Sequence, residues 1–186
     1  MKKKGHAFVI GGTGMLKKVS QFLADSNYNV SVIGRSLKKH QELKKTCKHP
    51  ENIHAIVLDY HENEKLKMEV ENALQTYGCP SIVVSWIHST ASNALPLIIR
   101  QISKQYSNFP WRLFHIQGSS SYYFQKENTS VPDNCQYKRV YLGFVLEKEF
   151  SRWLTLEEIA NGVIHAIKTN NDKTIVGTLE PWDRRP

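Results

Sequence analysis

His6-Ala7-Phe8-Val9-Ile10-Gly11-Gly12-Thr13-Gly14-Met15-Leu16-Lys17-Lys18-Val19-Ser20-Gln21-Phe22-Leu23 decides the fold of this chain. His6 to Ile10 is a short apolar run of the length of a buried strand, whereas Met15, Leu16, Val19, Phe22 and Leu23 return at the spacing of one helical face. Three glycines separate the two patterns. Glycine lets the backbone turn tightly and approach an anion, and the free N–H groups and positive dipole end of the following helix attract phosphate. The order of strand, glycine turn and helix therefore predicts a dinucleotide pyrophosphate site on Gly11, Gly12, Thr13, Gly14 and Met15. Both glycine-rich templates that fit here ask for a glycine at position 17, where Lys17 stands. That glycine serves helix packing, so the phosphate-facing part of the motif is intact.

The same alternation continues outward along the chain, which predicts an α/β fold with a parallel sheet and crossover helices. Strands are expected at Tyr28 to Ile33, Ile53 to Leu58, Ser81 to Ile87, Trp111 to Gln117, Arg139 to Leu146 and Lys173 to Leu179. Helices are expected at Leu37 to Cys47, between the third and fourth strands with Gly78 as C-cap, and from Asn93 to Tyr106. The last begins at Thr155, where Thr155 and Glu158 form a capping box. Gly118 to Gln136 has no clear period, and a stretch of about 19 residues exceeds the usual loop length. Rich in Ser, Tyr and Phe, it reads as a lid over a pocket.

With 186 residues, the chain is expected to form a single domain over 1–186. Its apolar stretches fall far short of the roughly 18 to 20 residues of a membrane span, which excludes a membrane protein of that kind. Lys2 to Lys4 before an apolar run imitate a signal peptide, but the glycines, Lys17 and Lys18 argue against one. Cys47, Cys79 and Cys135 are scattered, so neither disulfides nor a metal site is indicated, and a cytoplasmic location is expected. The formal charge of +8 is carried mostly by lysine mixed with acids. It reads as a solvated surface and not as a specific nucleic-acid interface.

The end of the second strand separates the two nicotinamide cofactors, because a carboxylate there binds the ribose 2′-hydroxyl and an arginine a 2′-phosphate. Here the strand runs into Gly34-Arg35-Ser36, with Lys38 and Lys39 close behind and no acid. NADP(H) is therefore expected over NAD(H).

These motifs resemble the cofactor half of the short-chain dehydrogenase/reductase superfamily: Gly11-Gly12-Thr13-Gly14 after the first strand, Gly34-Arg35-Ser36 after the second, and Leu58-Asp59-Tyr60 after the third. The chain is similar to short, atypical bacterial members. The resemblance implies a doubly wound, Rossmann-like sheet of about seven strands in the order 3-2-1-4-5-6-7. It also implies contact between Asp59, with Tyr60 beside it, and the adenine, and a homodimer.

Several family features are missing or displaced. The usual Asn-Asn-Ala-Gly segment is replaced by Ser85-Trp86-Ile87-His88-Ser89. Ser119 to Ser121 fall where the family serine is expected. Tyr122 and Lys126 satisfy Tyr-x-x-x-Lys, but Tyr122 comes too early, and about one such match arises by chance in a chain of this composition. Tyr137 is better spaced but lacks the lysine. The helix that should carry the pair is missing, so the candidate catalytic residues are His88, Ser120 and Tyr122. Family reductases of the biliverdin and flavin type work without that pair. The resemblance thus implies an NADP(H)-dependent reductase of a small or flat organic substrate, with Trp86, Tyr122, Tyr123 and Phe124 as possible pocket walls. The alternative is a dinucleotide-binding redox sensor or regulatory protein without catalysis.

Overall fold

Ala7 and Val9 face one side of β1 (His6–Ile10) and Phe8 and Ile10 the other, and the strand is buried throughout. Burial on both faces is the condition of a central strand in a parallel sheet. The structure, a computed structural model, describes residues 3–124, 129–148 and 150–186. After β1 come α1 (Lys17–Asp25), β2 (Asn29–Gly34), α2 (Leu37–Lys45), β3 (Ile53–Val57) and α3 (Asn63–Tyr77). The chain continues through β4 (Pro80–Ser85), α4 (Ala94–Gln105), β5 (Trp111–Gly118), α5 (Ser119–Tyr123) and β6 (Cys135–Leu142). It ends with β7 (Phe144–Leu146), β8 (Ser151–Trp153), α6 (Leu156–Thr169) and β9 (Lys173–Val176).

Seven strands form one sheet in the order β3-β2-β1-β4-β5-β6-β9, every neighbouring pair parallel. This is the doubly wound order expected, with β9 as the seventh strand. One core lies beneath α1 and α6, built on Val9, Val32, Val84, Phe114 and Val140. The other lies beneath α3 and α4, built on Phe8, Ile10, Ile33, Val83 and Leu113. Thr155 Oγ1 accepts from the N–H of Glu158 (3.2 Å) and Glu158 Oε2 from that of Thr155 (2.8 Å), so α6 starts at the capping box.

The far half of the sheet departs from expectation in three places. β6 begins at Cys135, inside the segment read as a loop, and not at Arg139. Polar Gln136 and Lys138 disguise it: Lys138 buries its stem and places its ammonium 2.8 Å from Asp172. Phe144 to Leu146 does not extend β6, because Phe144 pairs antiparallel with Thr178 and its strand forms a separate hairpin with β8. The start of the presumed loop is α5, following β5 without a break. Residues 125–128, in the middle of the lid expectation, lie outside the described residues.

Candidate functional site

The turn after β1 shows why glycines stand there. Gly11 has φ +77°, and a Cβ on it would come within 2.8 Å of the Trp86 carbonyl oxygen, so this turn presses against the chain leaving β4. A Cβ on Gly12 would meet Ser20 Oγ at 2.6 Å and Cγ1 of Val9 and Val32 at 2.8 Å. Ser20 Oγ also donates to the Gly12 carbonyl (2.9 Å). Close packing of α1 on the sheet thus rests on Gly12 and Ser20, which leaves position 17 free to be lysine. Gly14 opens to empty space, with nothing within 4 Å of its Cβ position. No side chain caps α1, and its first turn carries Lys17 and Lys18 and no acid. Uncapped N–H groups and positive charge at a helix start suit a bound phosphate.

Thr13 packs on Gly34 at the end of β2, next to Arg35. The Arg35 side chain is 71% exposed, and its Nη1 lies 3.9 Å from Asp59 Oδ2. Ser36 caps α2 by accepting from the Lys39 N–H (3.3 Å), and no acid stands in the first turn of that helix. Asp59 Oδ1 accepts from the backbone N–H of His61 (3.0 Å) and from its Nδ1–H (2.6 Å). These bonds, the backbone one foremost, with the charge of Arg35 behind them, hold the Asp59 carboxyl below its usual range. Thr90 Oγ1 lies 3.1 Å from both His61 Nε2 and His88 Nδ1. Tyr60 packs on the core beneath α3 and α4, and its hydroxyl receives a long 3.4 Å contact from the His88 N–H. Arg35, Asp59, His61, Thr90 and His88 thus form a polar line across the C-terminal ends of β2, β3 and β4. His61 and Thr90 have no motif, and only the folded chain shows their part in it.

Beyond that line lies a cleft of two lobes, with Trp86, Gly118 and Ser120 bordering both. The inner lobe, about 270 Å³, touches the glycine turn at Met15 and reaches Ser119, Leu142, Trp153 and Arg185. The outer lobe, about 330 Å³, is lined by His88, Ser121, His115 and Gln117. A wider groove between α3 and α4, walled largely by polar and charged side chains such as Glu64, Lys67 and Arg100, does not touch the glycine turn.

Of the three catalytic candidates, Ser120 and His88 meet in the outer lobe. His88 is exposed and also caps the short turn Ser89–Ala91. Tyr122 lines neither lobe; its ring meets Tyr141 edge-on at 5.1 Å, with Lys173 Nζ 5.5 Å above it. Lys126 lies outside the described residues. His115 Nδ1 lies 2.8 Å from the Tyr137 hydroxyl, and burial pushes its pKa down to about 4, so it is neutral at pH 7. The same cause raises the Tyr137 phenol. His115 and Gln117 share the parity of Leu113 on β5 and so face the side of the sheet that α3 and α4 cover. That period-two placing of polar residues in an apolar strand was the available signal for the part of the outer lobe that β5 lines.

No protein-family model matches the chain, and no curated protein sequence matches it. Solved structures do. An actinorhodin polyketide ketoreductase with NADPH superposes with a TM-score of 0.69 at 12% identity, over 93% of this chain and 95% of that one. A Pseudomonas aeruginosa short-chain oxidoreductase containing an atypical catalytic centre gives 0.68 at 13% identity, over 94% and 96%. A structure described as a D-mannonate oxidoreductase from Haemophilus influenza, with bound NAD, gives 0.63 at 10% identity, over 94% of each chain. The fold is therefore that of the short-chain dehydrogenase/reductase structures along nearly the whole chain. That fold occurs with either nicotinamide cofactor in these neighbours.

Proposed function

We propose that the protein is an NADP(H)-dependent reductase of small organic molecules that works without the usual tyrosine–lysine pair. The observation that carries this reading is the meeting of the uncapped α1 N-terminus, beside the open Gly14, with a cleft that gathers Ser120 and His88. The glycine turn and the start of α1 hold the pyrophosphate. Arg35, Ser36 and the start of α2, whose first turn carries no acid, hold the 2′-phosphate. Asp59 and Tyr60 border the adenine. The dinucleotide supplies the hydride when bound. Ser120 hydrogen-bonds the reducible oxygen, and His88 delivers the proton from the solvent side. We further propose a cytoplasmic protein that acts on a small-molecule substrate, as a homodimer, with no nucleic-acid or membrane partner.

The test is a titration of cofactor-free protein with NADPH and NADH, followed by nicotinamide fluorescence, with Arg35→Ala in parallel. NADPH should bind more tightly than NADH. Arg35→Ala should weaken NADPH by about tenfold to 100-fold, the value of one charge-assisted contact of roughly 1.5 to 3 kcal/mol. Binding of neither cofactor would end the reading. The second reading, a dinucleotide sensor without catalysis, is favoured by Tyr122 packing on Tyr141 outside the cleft. NADPH binding with no oxidation by carbonyl compounds, quinones or flavins would select it.

A further inference from the structure

After β9 the chain turns back over the inner lobe. Trp182 stacks on Tyr123 with ring centroids 4.3 Å apart and meets Phe124 edge-on at 5.9 Å. Ser151 Oγ donates to the Arg184 carbonyl, and Arg184 Nη2 donates to the Glu147 carbonyl at 3.3 Å. So anchored, the chain delivers Arg185 to the lobe, its guanidinium 4.8 Å from the Trp153 ring centre and 4.9 Å from that of Trp182. Its Nε donates to Ser119 Oγ at 3.1 Å, and Ser119 is itself buried.

Among the described residues this cation has no counter-ion. Arg152, on the neighbouring hairpin, takes two nearby carboxylates, Glu147 at 3.3 Å and Glu158 through two hydrogen bonds of 2.9 and 3.0 Å. Among the described residues, no carboxylate lies within 4 Å of Arg185, and its two Nη groups make no hydrogen bond. A guanidinium oriented by one N–H and by two indole faces, with its outer fork empty, has the geometry that a carboxylate accepts bidentately. The surrounding walls are apolar: Met15, Leu142, Leu154 and Ile159. Trp86 and Ser120 join this lobe to the outer one, so one molecule can reach both Arg185 and Ser120.

We propose that Arg185 is the specificity-determining residue of the reductase and selects a small, flat carboxylic acid, holding its carboxylate while the reducible group points toward Ser120. This rests on the reading above and adds the substrate class to it.

Calorimetric titration of cofactor-free and NADP⁺-saturated protein with phenylpyruvate, its methyl ester and inorganic phosphate tests the proposal, on the parent protein, Arg185→Gln and Arg185→Lys. Phenylpyruvate should bind at least tenfold more tightly than its ester or phosphate. Arg185→Gln should lose at least tenfold on the acid and little on the ester, Arg185→Lys should fall between, and NADPH affinity should stay within twofold in both. Arg185→Lys answers alone if the glutamine variant does not fold. Failure of phenylpyruvate to bind, equal binding of acid and ester, phosphate bound as tightly as the acid, or unchanged acid affinity in the variants would overturn it. So would a tenfold fall in NADPH affinity, which would assign the guanidinium to the cofactor phosphates. Absent NADPH binding with acid selectivity intact would defeat the cofactor reading and leave the carboxylate site standing.

Discussion

The strand ends of β1, β2 and β3 and those of β5 and β6 are built by different means. In the first group the backbone does the work: an open glycine turn, two helix starts without acids, and one arginine placed directly after a strand. In the second, the cleft is lined by side chains drawn from distant segments, such as His115 on β5, Leu142 on β6 and Arg185 beyond the last strand. Backbone sites tolerate change between the glycines, whereas side-chain sites depend on the exact residues present. One doubly wound sheet can therefore keep its glycine-turn half recognisable while its far half is rebuilt.

The largest expected effects ask whether the two halves are one cooperative unit. Phe8 lies in the core beneath α3 and α4 and Phe114 in the core beneath α1 and α6, both fully buried. Phe8→Ala and Phe114→Ala should each cost about 3–5 kcal/mol in urea unfolding. A single transition in both variants is expected; two would break the sheet into separately folding halves.

Each half also holds a neutral histidine, buried His6 and half-buried His115, and these give the next effect. The Nδ1–H of His6 donates to the Gly78 carbonyl (2.9 Å) and its Nε2 accepts from Ser31 (2.8 Å), while burial depresses its pKa to about 4. His115 is depressed to about 4 by burial as well. Between pH 6.5 and 4 the unfolded chain takes up protons that the native state refuses. Stability should therefore fall as pH falls through that window and level off below it, by about 3 kcal/mol for His6. His115→Gln should remove the contribution of the far half and leave that of His6, visible as a shallower dependence of the urea midpoint on pH. An unchanged slope would count against a neutral His115.

The smallest effect sharpens the division. Thr155→Ala removes one arm of the capping box of α6 and should lower stability by about 1 kcal/mol, with NADPH affinity unchanged. A parallel loss of cofactor affinity would mean that α6 helps to hold the glycine turn through its contact with α1.

Most of the near half was legible because each of its signals lies within a few residues of the next. Strand, glycines and helix face are contiguous, and Arg35 follows its strand directly; the Thr155–Glu158 box of α6, likewise legible, spans a single turn. The far half hid its elements behind polar residues whose partners are remote. Lys138 fell outside the strand expected from Arg139, its ammonium being answered by the remote Asp172, and Tyr122 matched a motif by sequence while its ring packs on Tyr141. Nothing local to Arg185 marked it as part of the cleft.

By itself, the sequence determined the class of fold, the strand order through its resemblance, and the turn suited to a pyrophosphate. Hydrophobic period, glycine placement and helix capping are short-range properties, and they survive in a linear reading. Only the tertiary structure decided that Ser120 and His88 share a lobe, that His61 meets Thr90, and that Arg185 stands between two tryptophans with no counter-ion among the described residues. Each of those facts depends on the convergence of segments tens of residues apart, and which polar groups find partners is settled only when the chain has packed.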